Sequence, residues 1–368
     1  MRVGGKPMKN WRIFSIHNKR IRLRRPAGTP NPRQPAHSRS GRLFLFAVLL
    51  LAVFASAVLS MCAGTVFLSP DEVVASLSDP QTDSIYAQIV RFARLPRTCG
   101  CLLAGAALAV SGAVIQSVLS NPLAAPNIIG VNSGAGFAVA VCGALAPTAV
   151  TLLPIAAFAG ALGGVLLVLF LSERTGASRI TLVLAGVAVS SLFSAGIDAV
   201  ITFVPDALAG YSDFRIGGLS NLSMARIRPA SRIILIAFLV IFSLTHELDI
   251  LMLGSDTAHS LGLPVKPIRL ILLAAAAALA GAAVSFCGLL GFVGLIVPHI
   301  MRRLAGEENL PLLAASALGG AAFLTFCDLI SRTLFSPYEL SVGIVLACVG
   351  APFFLWLLLR NRGGEEHD

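Results

Sequence analysis

From Leu43 onward the chain alternates apolar runs with short polar connections. The pattern predicts ten membrane spans, near residues 43–68, 98–119, 128–146, 151–171, 181–203, 230–246, 268–287, 295–304, 311–333 and 339–359. A span needs about 20 apolar residues, and the eighth run has about half of that. It lies in GLLGFVGLIVPHIMRRLAG (288–306), where Gly288, Gly291, Gly294 and Pro298 interrupt the run ahead of His299, Arg302 and Arg303. Irregular backbone at membrane depth survives only against protein or a water-lined cavity. The eighth element is therefore expected to be a half-helix, Leu295–Leu304, entered through a buried turn. The fold class is an all-α polytopic membrane protein.

The two halves echo one another. LAGAA stands at 103–107 and again at 279–283, and the same offset pairs Gly112 with Gly288, Pro122 with Pro298 and Gly130 with Gly306. Copies separated by five spans have opposite orientation, and inverted repeats with broken helices mark transporters.

Composition agrees with the pattern: 56% of residues are hydrophobic and 12% charged, where a soluble domain carries about 25% charged residues. The net charge of +10 is concentrated at one end. Residues 1–42 hold twelve Lys or Arg and no acid; removing those twelve from the 28 leaves 16 basic residues against 18 acidic ones. Directly ahead of an apolar helix such a tail keeps the N-terminus in the cytoplasm, a better reading than nucleic-acid binding. Its prolines (Pro26, Pro30, Pro32, Pro35) predict disorder. The chain thus divides into a basic tail 1–42, a transmembrane domain 43–360 and a short cytoplasmic tail 361–368. LSMCAG (59–64) resembles a lipoprotein cleavage site, but Met61 fits poorly before Cys62 and the apolar run exceeds a signal core, so 43–68 reads as a retained span.

Starting inside, ten spans return both termini to the cytoplasm. Arg174, Arg179, Lys266, Arg269, Arg302, Arg303, Arg360 and Arg362 then fall inside, as the positive-inside rule asks. Arg91, Arg94 and Arg97 fall outside, against it.

Little in the chain suggests catalysis. It has no GxxxxGK[ST] phosphate loop and no HExxH, and its six histidines are scattered. Seven cysteines lie in or beside apolar runs, and Cys99–Gly–Cys101 has no partners for a zinc set. Carboxylates in spans are costly and tend to be functional. Asp328 lies four residues before Arg332, on one helical face. Ser191, Ser194, Asp198 and Thr202, spaced by 3, 4 and 4, form a polar stripe, read either as the wall of a wet pathway or as local bonding to a neighbouring helix. Gly105, Ala109 and Gly112, ending at Gln116, form a small-residue packing face. The stretch 248–270 is too polar to span and predicts a short cytoplasmic helix pair.

These motifs together resemble the permease subunits of ATP-binding-cassette importers for iron-siderophores, haem and cobalamin, the FecCD type. The resemblance is carried by RLPR (94–97), GAALAVSGAVIQ (105–116), NPLAAPNIIGVNSGAG (121–136), LGSDTAHSLG (253–262), GFVGLIVPH (291–299), the Asp328/Arg332 pair and SVGIVLACVGAPFFLWLL (341–358), over about residues 43–360. It implies a second permease copy or paralogue, two cytoplasmic ATPase subunits that bind ATP and Mg, and an extracytoplasmic binding protein. It implies no cofactor on this chain, no nucleic-acid partner and a place in the bacterial inner membrane. By the same resemblance Arg94, Arg97 and Arg332 are outer-surface groups that pair with acids of the binding protein. Leu253, Gly254, Ala258, Leu261 and Gly262 match the coupling loop that docks on the ATPase. Asn121, Pro122, Gly291, Pro298, His299 and Asp328 belong to the structural motifs, and segment five lines the pathway. Ser178–Thr181 matches a polar gate, although Arg179 intrudes. Two rival classes follow from the residues alone: an ion-coupled secondary transporter with Asp198 as its coupling carboxylate, and a membrane enzyme.

Overall fold

A computed structural model of the chain describes residues 39–64, 66–78, 84–175, 179–220 and 222–362, all within the compact unit Ala36–Asp368. The basic tail as far as residue 38, Ser178 of the gate motif and residues 363–368 lie outside the described residues. Among the described residues every regular element is helical: α1 Arg39–Cys62, α2 Pro70–Ser78, α3 Ile85–Gln88, α4 Leu95–Leu119, α5 Val131–Leu145, α6 Leu153–Arg174, α7 Arg179–Phe203, α8 Ala207–Ile216, α9 Met224–Ser243, α10 Thr245–Met252, α11 Ser255–Ser260, α12 Val265–Cys287, α13 Val293–Ala305, α14 Asn309–Thr333 and α15 Val342–Arg362.

Each of the ten predicted runs holds a helix. Six spans are long and apolar enough to cross a membrane: Ser40–Cys62, Ile85–Leu119, Leu153–Arg174, Ile180–Phe203, Val265–Cys287 and Asn309–Thr333. The consecutive α9 and α10 pass the same test together, bent by 56°. The shorter α5 and α13 and the apolar α15 complete the set. The chain is a multi-span membrane protein.

The second span begins 13 residues earlier than the apolar pattern indicates, at Ile85, because α3, a π-helical turn at Ile89–Arg94 and α4 run on as one 35-residue helix. Ser84 caps its start, its hydroxyl accepting from the Ala87 N–H at 3.1 Å. Arg91, Arg94 and Arg97 break the apolar run in sequence, but partners elsewhere in the chain compensate them. The first span is shorter than expected and stops at Cys62, where two buried arginines meet its terminal carbonyls.

Two short helices lie outside the apolar pattern. The first, α2, opens on a capping box: the Ser69 N–H donates to Glu72 at 2.7 Å while the Glu72 N–H donates to the Ser69 hydroxyl at 3.3 Å. The second, α8, connects α7 to α9.

The long helix through α4 sits at the centre, with 78% of its most apolar window buried, against 17% for α1 and 22% for α7. It packs on α12, α13 and α14. Its glycine face explains how: a Cβ on Gly112 would lie 1.9 Å from the Gly294 carbonyl oxygen, so only glycine permits this approach of α4 to α13. Gly105 meets Gly320 of α14 in the same way.

The broken eighth element is α13, 13 residues long, reached from α12 through Gly288–Phe292. Gly288 has φ +72° and Phe292 φ +65°. The turn is closed by the Leu289 N–H donating to the Phe214 carbonyl at 2.9 Å and the Val293 N–H donating to Gly291 at 2.8 Å. A Cβ on Gly288 would lie 2.6 Å from that same Phe214 oxygen, so both the backbone sign and the space call for glycine there.

Candidate functional site

Among the described residues, three places hold the polar and loop residues singled out in the sequence. The first lies at the end of the bundle where α1 and α14 finish and α4 begins. Asp328 is wholly buried. The Arg97 Nε donates to its two carboxylate oxygens at 3.0 and 3.1 Å, and an Arg97 Nη reaches Glu339 at 2.8 Å. Arg332 approaches Asp328 at 3.5 Å and donates to the Ser60 carbonyl and hydroxyl at 2.5 and 2.8 Å. Arg94 donates to the carbonyls of Met61, Cys62 and Val66. Ser60 and Thr98 join the cluster by a 2.7 Å hydroxyl contact.

The expectation that Arg94, Arg97 and Arg332 are surface charges is corrected here: their exposures are 5%, 8% and 3%. Arg94 and Arg332 satisfy the orphan carbonyls at the C-terminus of α1, where a cation also meets the negative end of the helix dipole. Arg97 neutralises a carboxylate drawn from another helix. The Asp328–Arg332 pair read from the spacing is present, but Arg97 is the closer partner. It stands 231 residues away, and its only signal in sequence is an arginine on the wrong side of the membrane.

The second place is the stripe on α7. Ser191, Ser194, Asp198 and Thr202 are all exposed on this chain. The Ser191 hydroxyl bonds back to the Val187 carbonyl at 3.0 Å and Thr202 to the Asp198 carbonyl at 2.7 Å. An open groove of about 550 Å³ runs along the face, lined by Asn127, Ile128, Val187, Ser190, Ser191, Ser194, Ala195 and Asp198. Asn127 and Ser190 widen the stripe beyond the four residues read from the helical spacing. Beside it Leu184 and Leu192 are also exposed, so α7 presents an uncovered face with a polar line along it.

The third place is the connection from α10 to α12. Two short helices, α10 and α11, occupy 245–252 and 255–260, earlier than the predicted stretch 248–270, whose last residues already belong to α12. Leu253 and Leu261, 54% and 62% exposed, project beside it, while Ala258 is wholly buried beneath. Gly254 and Gly262 flank α11, and its turns close through the Ala258 N–H on Gly254 at 2.9 Å and the Leu263 N–H on Ala258 at 3.0 Å.

The remaining motif residues lie in turns and helix contacts. Asn121 accepts from the Leu123 N–H at 2.9 Å across Pro122, forming an Asx turn that ends α4. Pro298 lies inside α13. His299 packs edge-on to Phe353 of α15 with centroids 5.9 Å apart. Among the described residues no three His, Cys, Asp or Glu side chains gather as a metal site.

An all-helical membrane bundle with a broken half-helix, a glycine-packed central span and an open polar face has the construction of a transport permease. The FecCD transport family model matches residues 49–360, and the chain belongs to that family. It is 37% identical to the Fe(3+)-citrate import system permease protein YfmE of Bacillus subtilis, over 85% of this chain and 95% of that one. It is 38% identical to the achromobactin transport system permease protein CbrC of Dickeya dadantii, over 88% and 92%. The hemin transport system permease protein HmuU of Yersinia pestis is 37% identical, over 73% and 82%. Among solved structures, one described as an inward-facing conformation of a metal-chelate type ABC transporter superposes with a TM-score of 0.77 at 29% identity, over 86% of this chain and 99% of that one.

Proposed function

We propose that this chain is the membrane-spanning permease of an ATP-binding-cassette importer for an iron chelate, with an iron-siderophore ahead of haem or cobalamin. The observation that carries the reading is the uncovered polar stripe of α7. Polar side chains in hydrocarbon are costly, so a line of Ser191, Ser194 and Asp198 is accounted for by a water-filled path between α7 and a second permease. The chelate assignment is supported by near full-length relatives named for Fe(3+)-citrate, achromobactin and hemin.

In this reading ATP and Mg are held by two separate cytoplasmic subunits. They dock on the loop around α11, where Leu253 and Leu261 offer apolar side chains. Both termini are cytoplasmic, and the membrane is the bacterial inner membrane. A binding protein docks at the opposite end, over the cluster around Asp328. Arg94 and Arg332 shape that surface from beneath, and Arg97 is the cation nearest to it, because its Glu339 partner is 35% exposed at the side chain.

The test is uptake of radioactive iron-siderophore by cells with and without the gene, with ATP depleted while the proton gradient is held. Gene-dependent uptake that stops on ATP loss is the expected result. Gene-dependent uptake that persists would overturn the ATPase partnership and favour ion coupling through Asp198.

A further inference from the structure

Besides the buried Leu248, Leu251 and Ala258 and a 2.9 Å bond from Arg269 of α12 to Ser255, the loop assigned above to ATPase docking is tied to the bundle through a buried amide. Asn309, the first residue of α14, has no exposed surface. Its amide nitrogen donates to an Asp249 carboxylate oxygen on α10 at 2.7 Å and lies 3.2 Å from the Met252 sulfur on the same helix. Its backbone N–H donates to that same Asp249 oxygen at 3.0 Å. Its amide oxygen accepts from the Ser117 hydroxyl, in the last turn of α4, at 2.8 Å. The Arg302 guanidinium of α13 reaches the Ser117 oxygen at 3.4 Å. Three helices, α14, α10 and α4, thus meet at one amide, and α13 joins through the Ser117 hydroxyl.

The surroundings make these bonds strong and singular. Leu248 and Leu251 of α10 and Leu312 of α14 are wholly buried, and Leu119 of α4 nearly so. Hydrogen bonds to a carboxylate in such a setting exceed neutral ones. Meanwhile α10 does not continue α9, since the axis bends by 56° between them, and α11 follows α10 after only Leu253 and Gly254. A push on α11 therefore reaches α10 at once, and α10 holds the central helices through Asp249.

We propose that Asn309 is a positioning residue that transmits displacement of the α10–α11 loop to α4 and α14, so that nucleotide-driven motion of an ATPase partner moves the transport path. The inference rests on the importer reading given above. Its chemistry predicts a specific rescue. Asn309→Asp alone sets two carboxylates against each other. The exchange Asp249→Asn with Asn309→Asp restores a side-chain donor and acceptor facing each other at the cost of the backbone N–H contact that shares the same Asp249 oxygen, and the Ser117 hydroxyl still has an oxygen to donate to.

The experiment uses the full importer complex reconstituted in liposomes with its binding protein and an iron-siderophore, measuring ATP hydrolysis and iron uptake together. The wild-type complex comes first, tried with an iron-siderophore, haem and cobalamin in turn: absence of ATP-driven uptake of all three would refute the importer reading itself, before any variant is made. Given uptake, Asn309→Ala and Asn309→Asp in assembled complexes are expected to keep hydrolysis within about twofold while uptake per ATP falls roughly tenfold, the scale of a coupling mutation. The double exchange is expected to recover most of that ratio. Uptake per ATP unchanged in both single variants would overturn the proposal. So would a loss of uptake that follows only the amount of assembled complex, or a double exchange as uncoupled as Asn309→Asp alone.

Discussion

Replacing Asp328 by asparagine tests the buried cluster at the other end of the molecule. At an effective dielectric of about 20, a unit charge pair at the 3.0 Å contact to Arg97 contributes about 5 kcal/mol, and the 3.5 Å contact to Arg332 slightly less. Desolvating the three ions offsets much of this, so the net value of the arrangement is small. Removing the carboxylate alone is different, because it leaves Arg332 buried without its counter-ion and Arg97 with only the partly exposed Glu339, at a cost of about 3–5 kcal/mol. The introduced side-chain amide would still accept one hydrogen bond from Arg97, which places the substitution toward the lower figure. Replacing the closer pair together, Arg97→Met with Asp328→Leu, removes one charge of each sign; Arg332 loses its ion pair but keeps its Ser60 acceptors, Glu339 turns to water, and apolar side chains fill the site. That double variant is expected to lose less than Asp328→Asn alone. The assay is the thermal unfolding midpoint of detergent-solubilised protein, read for wild type, Asp328→Asn, Arg97→Met, Asp328→Leu and the double variant. An Asp328→Asn midpoint equal to wild type would refute the reasoning, as would a double variant whose loss is the sum of the two single losses.

Other outcomes follow from the same geometry. Gly112→Val drives a side chain into the Gly294 carbonyl and is expected to cost about 3 kcal/mol or more, seen as a large drop in folded yield; Ala113→Gly, one residue away, serves as the mild control. Asp198→Asn is expected to reduce chelate uptake several-fold without lowering the unfolding midpoint, because the side chain is exposed on this chain; unchanged uptake and substrate preference would remove Asp198 from the pathway. Arg42 donates to Glu308 at 2.7 Å and holds that carboxyl below the usual range, chiefly through the hydrogen bond. A depressed folded pKa gives stability that is present above the unfolded value near ~4.3 and lost as pH falls through the folded value. With the Glu308 side chain 63% exposed, this amounts to about 0.5 kcal/mol at most, so Arg42→Ala is expected to leave the unfolding midpoint between pH 6 and 8 almost unchanged.

Much of the fold is legible because hydropathy over 20 residues is a strong signal in lipid. The half-helix is legible because glycines and a proline at Gly288–Pro298 leave too little chain to span. The polar connection at 248–270 and its short helices are legible from polarity, but their ends, at 245–252 and 255–260, are not. The start of the second span is not, since a local count of apolar residues sees Arg91, Arg94 and Arg97 as a boundary. Only tertiary partners, Ser76 for Arg91 at 2.7 Å among them, allow a helix to run through such residues. The same blindness misplaces the arginines at the surface: burial of a charge depends on acceptors 28 to 33 residues away for Arg94 and 231 and 272 residues away for Arg97 and Arg332. Capping of α2 by Ser69 and Glu72 is present in the sequence as an S-x-x-E pattern, masked by the stronger apolar signal beside it. Asn309 gives no signal, because an Asn beside two glutamates reads as an ordinary connection.

The glycine contacts of the central helix carry a mechanical consequence. Where Gly112 meets Gly294 and Gly105 meets Gly320, backbone rests on backbone, with no side chain between to tilt, slide or change rotamer. Such contacts act as bearings that are seized rather than lubricated. Helices α4, α13 and α14 form a rigid block at the heart of the subunit. A torque applied at α10 would turn that block as a whole rather than slide one of its helices past another.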